Sequence, residues 1–297
     1  MLASCLAEGA PSVPLGPFCE LDARQPGVRA ETGAAYPQGS GTSSALLVPG
    51  RDGAPPLAAP KEVWLLRHGQ SAWNFESRIQ GDTNESGLTE RGVAQAVRMG
   101  EALARVEFDG GCFSSPVKRA AQTADIVWRE HQASANEPEA PIHLPELKEM
   151  NLLHLQGMKN SDAAVRYPDS YRIWRNTPHN FRGLEPGEEA PANGGGTAPP
   201  PAQTYPVRDL WTRAHTAWGH ILNAPGKRAL VISHKSTLRG MVCVALGLPP
   251  ESFRAVDLHN GGLSIIRVDE FGVPMISALN TTTHMVEGYS YTADDVL

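Results

Sequence analysis

The sequence predicts a three-layer α/β/α sandwich built on a mostly parallel sheet. Three observations carry this: short apolar runs with the length of buried strands, apolar stripes at helical spacing between them, and the alternation of the two from Glu62 to Leu279. A parallel sheet covered by helices on both faces is the architecture that buries such runs most completely.

Glu62-Val63-Trp64-Leu65-Leu66 is largely apolar without a polar alternate, as a strand covered on both faces must be. Thr89 can cap a helix whose expected core face carries Val93, Ala96, Val97, Gly100, Leu103 and Ala104. Cys112-Phe113-Ser114 is the second strand. Ser115-Pro116 is expected to open the next helix, with proline tolerated in the first turn and a stripe through Ala120, Ala124, Val127 and Trp128. Ile142-His143-Leu144 is a weak third strand, and a long amphipathic helix starts at Pro206 and carries Val207, Leu210, Trp211, Ala214, Trp218 and Ile221. Residues 229–233 form the next strand, followed by a helix through Leu238, Met241, Val242 and Ala245 that stops at Gly247, with Pro249 beyond. Residues 263–268 and 274–279 pair as a terminal hairpin around Phe271-Gly272.

Residues 61–297 form one domain on this reading, with a cap region over 158–206. Inside the cap, residues 183–205 include Asn193-Gly194-Gly195-Gly196 and Pro199-Pro200-Pro201, a composition expected for a mobile surface insertion. Residues 1–60 are rich in Ala, Gly, Pro and Ser, contain no lysine or histidine, and show neither period, so they read as a disordered extension. A transit peptide is one function for it. Against that stands its acidity: Glu8, Glu20, Asp22, Glu31 and Asp52 outnumber Arg24, Arg29 and Arg51, so a plain low-complexity extension is weighed equally.

The chain carries 26 Lys and Arg against 32 Asp and Glu, a net charge of −6, the opposite of the basic stripe that nucleic-acid binding requires. The mean hydropathy is −0.29, and no apolar run approaches the roughly 20 residues that cross a bilayer, so neither nucleic acid nor membrane is an expected partner. Cys5, Cys19, Cys112 and Cys243 show no CxxC pairing, and the histidines show no HExxH, which argues against a disulfide framework or a metal site.

Ligands of open parallel sheets bind at the carboxyl ends of the strands, and two predicted strands end in histidine: Leu65-Leu66-Arg67-His68-Gly69 and Val231-Ile232-Ser233-His234. Arg119 follows the second strand at a helix start, where backbone N–H groups also favour an anion. Two arginines and two histidines on one sheet edge would make a phosphate site without a metal.

Arg67-His68-Gly69-Gln70-Ser71-Ala72-Trp73-Asn74 resembles the R-H-G-x-S-x-W-N motif of the histidine phosphatase superfamily, the cofactor-dependent phosphoglycerate mutases and their phosphatase relatives. The resemblance continues through Gln80-Gly81, Leu88-Thr89-Glu90-Arg91-Gly92, residues 114–124, Leu147-Lys148-Glu149 and His234. It implies a histidine phosphatase fold with a cap insertion and a reaction without a cofactor. It also implies that His68 accepts the phosphoryl group, that Arg67, Arg119 and His234 hold its oxygens, and that Glu149 donates the proton, with Glu146 and Glu85 as alternative carboxylates. Asn74, Gln80 and Gly81 would be substrate contacts. The chemistry suits these residue types: a neutral imidazole is a nucleophile, guanidinium groups bind phosphoryl oxygens bidentately, and an alkoxide leaves only when protonated.

Mutases of this superfamily usually carry Ser-Gly where this chain has Gln80-Gly81, and a basic insertion after the acid that has no counterpart here, which favours a phosphatase. Residues 167–181 and 205–214 resemble the cap of plant 2-carboxy-D-arabinitol-1-phosphatases, implying a carboxylated sugar phosphate as the small-molecule partner and the chloroplast as the location, with the cytoplasm as the alternative. Arg166, Arg172, Arg175 and Arg182 are candidates for its carboxylate, or else form a solvated helix face. The same-fold alternatives are a broad-specificity phosphatase, a phosphoserine phosphatase and a phosphoglycerate mutase. The alternative of another class is a phospho-ligand binding module that does not turn over.

Overall fold

The structure, a computed structural model, describes residues 56–133, 139–183 and 204–286. The expectations for residues 1–55, and for the Gly/Pro-rich run at 184–203, fall outside the described residues. Among the described residues six strands make one sheet: β1 (Lys61–Arg67), β2 (Cys112–Ser114), β3 (Ile142–His143), β4 (Arg228–Ser233), β5 (Leu263–Val268) and β6 (Pro274–Thr281). Their order is β3-β2-β4-β1-β5-β6, parallel from β3 to β1 and antiparallel from β1 to β6. The helices are α1 (Ala72–Phe75), α2 (Glu90–Leu103), α3 (Lys118–His131), α4 (Asn160–Arg166), α5 (Pro168–Asn176), α6 (Pro206–Asn223) and α7 (Lys235–Ala245).

The three layers follow from the pleat of β1. Val63 and Leu65 face one core with Val231 and the apolar stripes of α6 and α7. Trp64 and Leu66 face the other with Leu230, Ile232 and the stripes of α2 and α3. Because both faces are covered, β1 and β4 carry apolar side chains at every interior position, which is the pattern seen in the sequence. The edge strand β6 instead alternates between half-buried and exposed, the period of two of a strand covered on one face.

Two elements differ from expectation. The buried face of α2 is Gly92, Ala96, Met99, Gly100, Ala102 and Leu103, while Val93 is 42 % exposed and Ala104 is exposed. The stripe keeps the expected Ala96, Gly100 and Leu103 and turns toward Gly92, Met99 and Ala102, and it packs closely: a Cβ on Gly100 would stand 2.7 Å from Val127 O of α3, an approach that larger apolar residues forbid. Likewise α3 starts at Lys118, with Pro116 outside it, because Ser115 Oγ accepts the Val117 N–H and holds a bend there. The short helices α1, α4 and α5 had no periodic signal of their own.

Register places the chemistry. Arg67 pairs with Ser233 across β1 and β4, and Ser114 with Ile232 across β2 and β4, so three chain segments leave the sheet at the same edge.

Candidate active site

The loop after β1 is shaped by its own sequence. Ser71 caps α1 by accepting from the Asn74 N–H, and the Asn74 side chain accepts in return from the Ser71 N–H, a reciprocal pair that explains their spacing of three. Ser71 Oγ also lies 2.7 Å from Gln80 Oε1. The loop then crosses the start of α2, where Thr89 accepts from the Gly92 N–H and donates to Gln70 O. The approach is tight: a Cβ on Gly92 would stand 2.0 Å from Gln70 O, and one on Gly69 2.5 Å from Gly92 O. The Gly69 and Leu88-to-Gly92 motifs are therefore two halves of one backbone contact.

His68 and His234 emerge side by side, their ring centroids 5.1 Å apart at 61°. His68 Nδ1 donates to Gly69 O at 2.7 Å, which leaves the lone pair on Nε2, and Arg119 Nε donates to that atom at 3.3 Å. Burial pushes the His68 pKa well below the ordinary imidazole value, with Arg119 and Arg67 opposing a proton further, so the ring is neutral at neutral pH. His234 is held neutral in the same way, first by burial and then by Arg119. Its Nε2 meets Ser115 Oγ at 2.8 Å.

Arg119 and Arg67 are buried, and burial lowers each to about 10, which keeps both charged at neutral pH. Arg119 Nη2 donates to Gly81 O, which Gly81 presents from a left-handed conformation at φ 64°, and Nη1 donates to Thr83 O. Arg67 Nη1 donates to Leu258 O, while its Nε and His234 Nδ1 are buried with no hydrogen-bond partner among the described residues. Buried polar atoms of this kind call for a ligand oxygen or water. Among the described residues no three His, Cys, Asp or Glu side chains converge as metal ligands, and no helix is long and apolar enough to cross a membrane. Cys112 and Cys243 are core residues whose thiols burial pushes up.

Of the three carboxylates, Glu149 enters the site. It accepts from the N–H groups of Met150 and Ser236 at 2.8 and 3.2 Å, two residues beyond His234, and its charge acts on both Arg67 and Arg119. Glu146 turns toward His220, 3.9 Å away, and Glu85 is exposed. A cavity of about 240 Å³ opens beside Glu149, lined by Lys148, Arg213, Asp82, Asp209 and Asn151 among others. The described cations on that cavity are thus Lys148 and Arg213. Arg172 instead pairs with Asp169 on the exposed face of α5, and Arg166 lies over the Tyr167 ring, as expected of a solvated face.

Sequence reasoning missed Asn260 and Arg213. Asn260 Nδ2 donates to His68 O at 3.0 Å, Gly69 O at 3.2 Å and Asn74 Oδ1 at 3.1 Å, so it ties the histidine loop to α1 from 192 positions away. Its only local signal is a polar residue in the glycine-containing turn before β5.

Residues 63–282 match the profile of the histidine phosphatase superfamily (branch 1). The chain is 34% identical over 206 residues to a protein of Arabidopsis thaliana named probable 2-carboxy-D-arabinitol-1-phosphatase, covering 69% of this chain and 38% of that one. It is also 34% identical over 218 residues to 2-carboxy-D-arabinitol-1-phosphatase of Triticum aestivum, covering 73% of this chain and 39% of that one. The chain therefore spans less than two-fifths of either plant protein. In three dimensions it is similar to Bacillus stearothermophilus YhfR, with a TM-score of 0.61 at 24% identity over 76% of this chain and 100% of that one, which shows a common fold.

Proposed function

The chain belongs to the histidine phosphatase superfamily, and from that premise we propose that it is a metal-independent phosphomonoesterase working through a phosphohistidine on His68. The observation that carries the reading is the state of His68: a buried, neutral ring whose Nδ1 is committed to Gly69 O and whose Nε2 lone pair faces the Arg119 guanidinium. In the first step Nε2 attacks phosphorus and the ester P–O bond breaks, while Glu149 passes its proton to the departing oxygen. Arg67, Arg119 and His234 bind the phosphoryl oxygens as charge spreads over them. Water then attacks phosphorus, gives a proton back to Glu149, and the P–N bond breaks to release inorganic phosphate. Asn74, Gln80 and Gly81 line the approach on this reading.

The substrate class we propose is a carboxylated sugar phosphate, with 2-carboxy-D-arabinitol 1-phosphate as the specific candidate. The names of the plant relatives support it, and so does the mixed-charge cavity beside Glu149, whose Lys148, Asp82 and Asn151 suit a leaving group rich in hydroxyls and bearing a carboxylate. A chloroplast location belongs to the same proposal and is tested by fusing residues 1–60 to a fluorescent protein in plant cells, where a cytoplasmic signal would overturn it.

Phosphate release in the presence of EDTA is measured across 2-carboxyarabinitol 1-phosphate, 3-phosphoglycerate, phosphoserine, fructose bisphosphate and p-nitrophenyl phosphate. A preference for the carboxylated pentitol of about a hundredfold in kcat/KM, roughly 2.7 kcal/mol of transition-state discrimination, is the expected outcome. Label from substrate should be trapped on the denatured wild type and absent from His68→Ala. Binding without turnover or label would favour the phospho-ligand binding module instead.

A further inference from the structure

We infer that Arg213 is a positioning residue for Glu149, fixing the backbone of the segment that carries the acid. The inference rests on the reading above that Glu149 is the proton donor. Residues 146–149 lie largely outside the sheet and the α-helices, so most of their carbonyls need partners from elsewhere, and those partners decide the path of the chain. Arg213 reaches them from α6, the helix that leads out of the cap region. Its Nη1 donates to Glu146 O at 3.1 Å and to Lys148 O at 2.7 Å, and its Nη2 points to Glu149 O at 3.5 Å. From the β4–α7 junction, Ser233 Oγ donates to Leu147 O and Thr237 Oγ1 to Lys148 O, each at 2.7 Å. The segment is thus clamped between α6 and the β4–α7 junction that also carries His234.

One planar guanidinium serves three carbonyls here from two nitrogens set apart in a fixed fork, whereas a lysine at this position would have to reach them from a single Nζ. Burial lowers the Arg213 pKa, while the facing carboxylates of Glu149, Asp82, Asp209 and Glu146 favour its charge. Arg213 also lines the cavity beside Glu149, so its loss frees the acid's backbone on the side where the leaving group would sit. A carboxyl displaced by an ångström or so from the ester oxygen loses proton transfer while the phosphate clamp stays intact.

Leaving-group dependence separates this role from a general structural one, because an aryl ester departs without a proton and an alkyl ester does not. The full chain is assayed with glycerol phosphate and p-nitrophenyl phosphate as wild type, Arg213→Met, Arg213→Lys and Glu149→Gln. In Arg213→Met, kcat/KM should fall about a hundredfold for the alkyl ester and less than about threefold for the aryl ester, with Arg213→Lys between it and wild type. Should Arg213→Met not fold, Arg213→Lys makes the same comparison. If Glu149→Gln discriminates between the esters and the Arg213 variants lose both equally, or lose neither, the positioning role is overturned alone. If Glu149→Gln is blind to the leaving group, or the wild type turns over neither ester, the proton-donor reading falls and this inference with it.

Discussion

On the proposed reading His68 attacks phosphorus and has to be unprotonated, and its surroundings meet that condition. Burial and two guanidinium groups oppose its proton, so its pKa lies well below 6.5 and the reactive form persists as the pH falls through that value. The kcat/KM for p-nitrophenyl phosphate should therefore show no loss of activity centred near 6.5, and an acid limb at that pH would mean an ordinary imidazole. At the same scale, Asn260→Ala removes donors from His68 O, Gly69 O and Asn74 Oδ1 at once. A net cost of about 1–3 kcal/mol in chemical denaturation is expected, with slower phosphoenzyme formation, and an unchanged midpoint would show that the tie is not structural. His68 and Arg67 were legible in the sequence because they sit together in one motif at a strand end. Asn260 was not, since nothing within its own segment announces a contact made across the sheet.

Elements place these residues, and the start of α2 is the clearest case. Glycine in an exposed helix costs up to about 1 kcal/mol relative to alanine, so Gly92→Ala on a free surface would stabilise the protein. Here the added Cβ would stand 2.0 Å from the Gln70 carbonyl oxygen, which cannot move without shifting the histidine loop, and overpacking typically costs about 1–3 kcal/mol. The net expectation is destabilisation, read as a lower urea midpoint, together with reduced activity. A raised midpoint would show that the close approach does not select glycine. The existence of α2, its Thr89 cap and part of its buried face, Ala96, Gly100 and Leu103, could be read from periodicity, yet the exposure of Val93 and Ala104 could not. Periodicity weighs Val93 as core, whereas the packed face keeps Gly100, where the backbones of α2 and α3 come close, and turns toward Met99 and Ala102.

The whole molecule couples the site to stability. His68, His234 and His284 are all buried with pKa values below 6.5, so as the pH drops below that point the unfolded chain binds protons that the folded chain refuses. Stability then falls with falling pH, by at most about 1.4 kcal/mol per pH unit for each histidine. Asp257, held down to about 2 in the folded state with Lys235 and Arg239 as partners, has an unfolded value of 3.8 and loses its contribution only at lower pH. A Tm that drops as the pH goes from about 7 to about 5 is the expected result, and a flat Tm would mean that these rings take up protons when folded. At this scale the division of labour is plain. The sequence by itself determined the residue types of the chemistry, the strands that end in them and the α/β class, because motifs, caps and periodicity are properties of neighbours along the chain. The tertiary structure sets Glu149, which the motif series had already singled out over Glu85 and Glu146, where its charge acts on Arg67 and Arg119, and it alone decided that Lys148 and Arg213 rather than Arg166 or Arg172 line the cavity and that Asn260 braces the loop. Those outcomes depend on the register of β1 against β4 and on how α6 packs beside them, and pairing between segments more than 150 residues apart is set by how whole faces bury together, as the Glu62–Arg228 partnership shows.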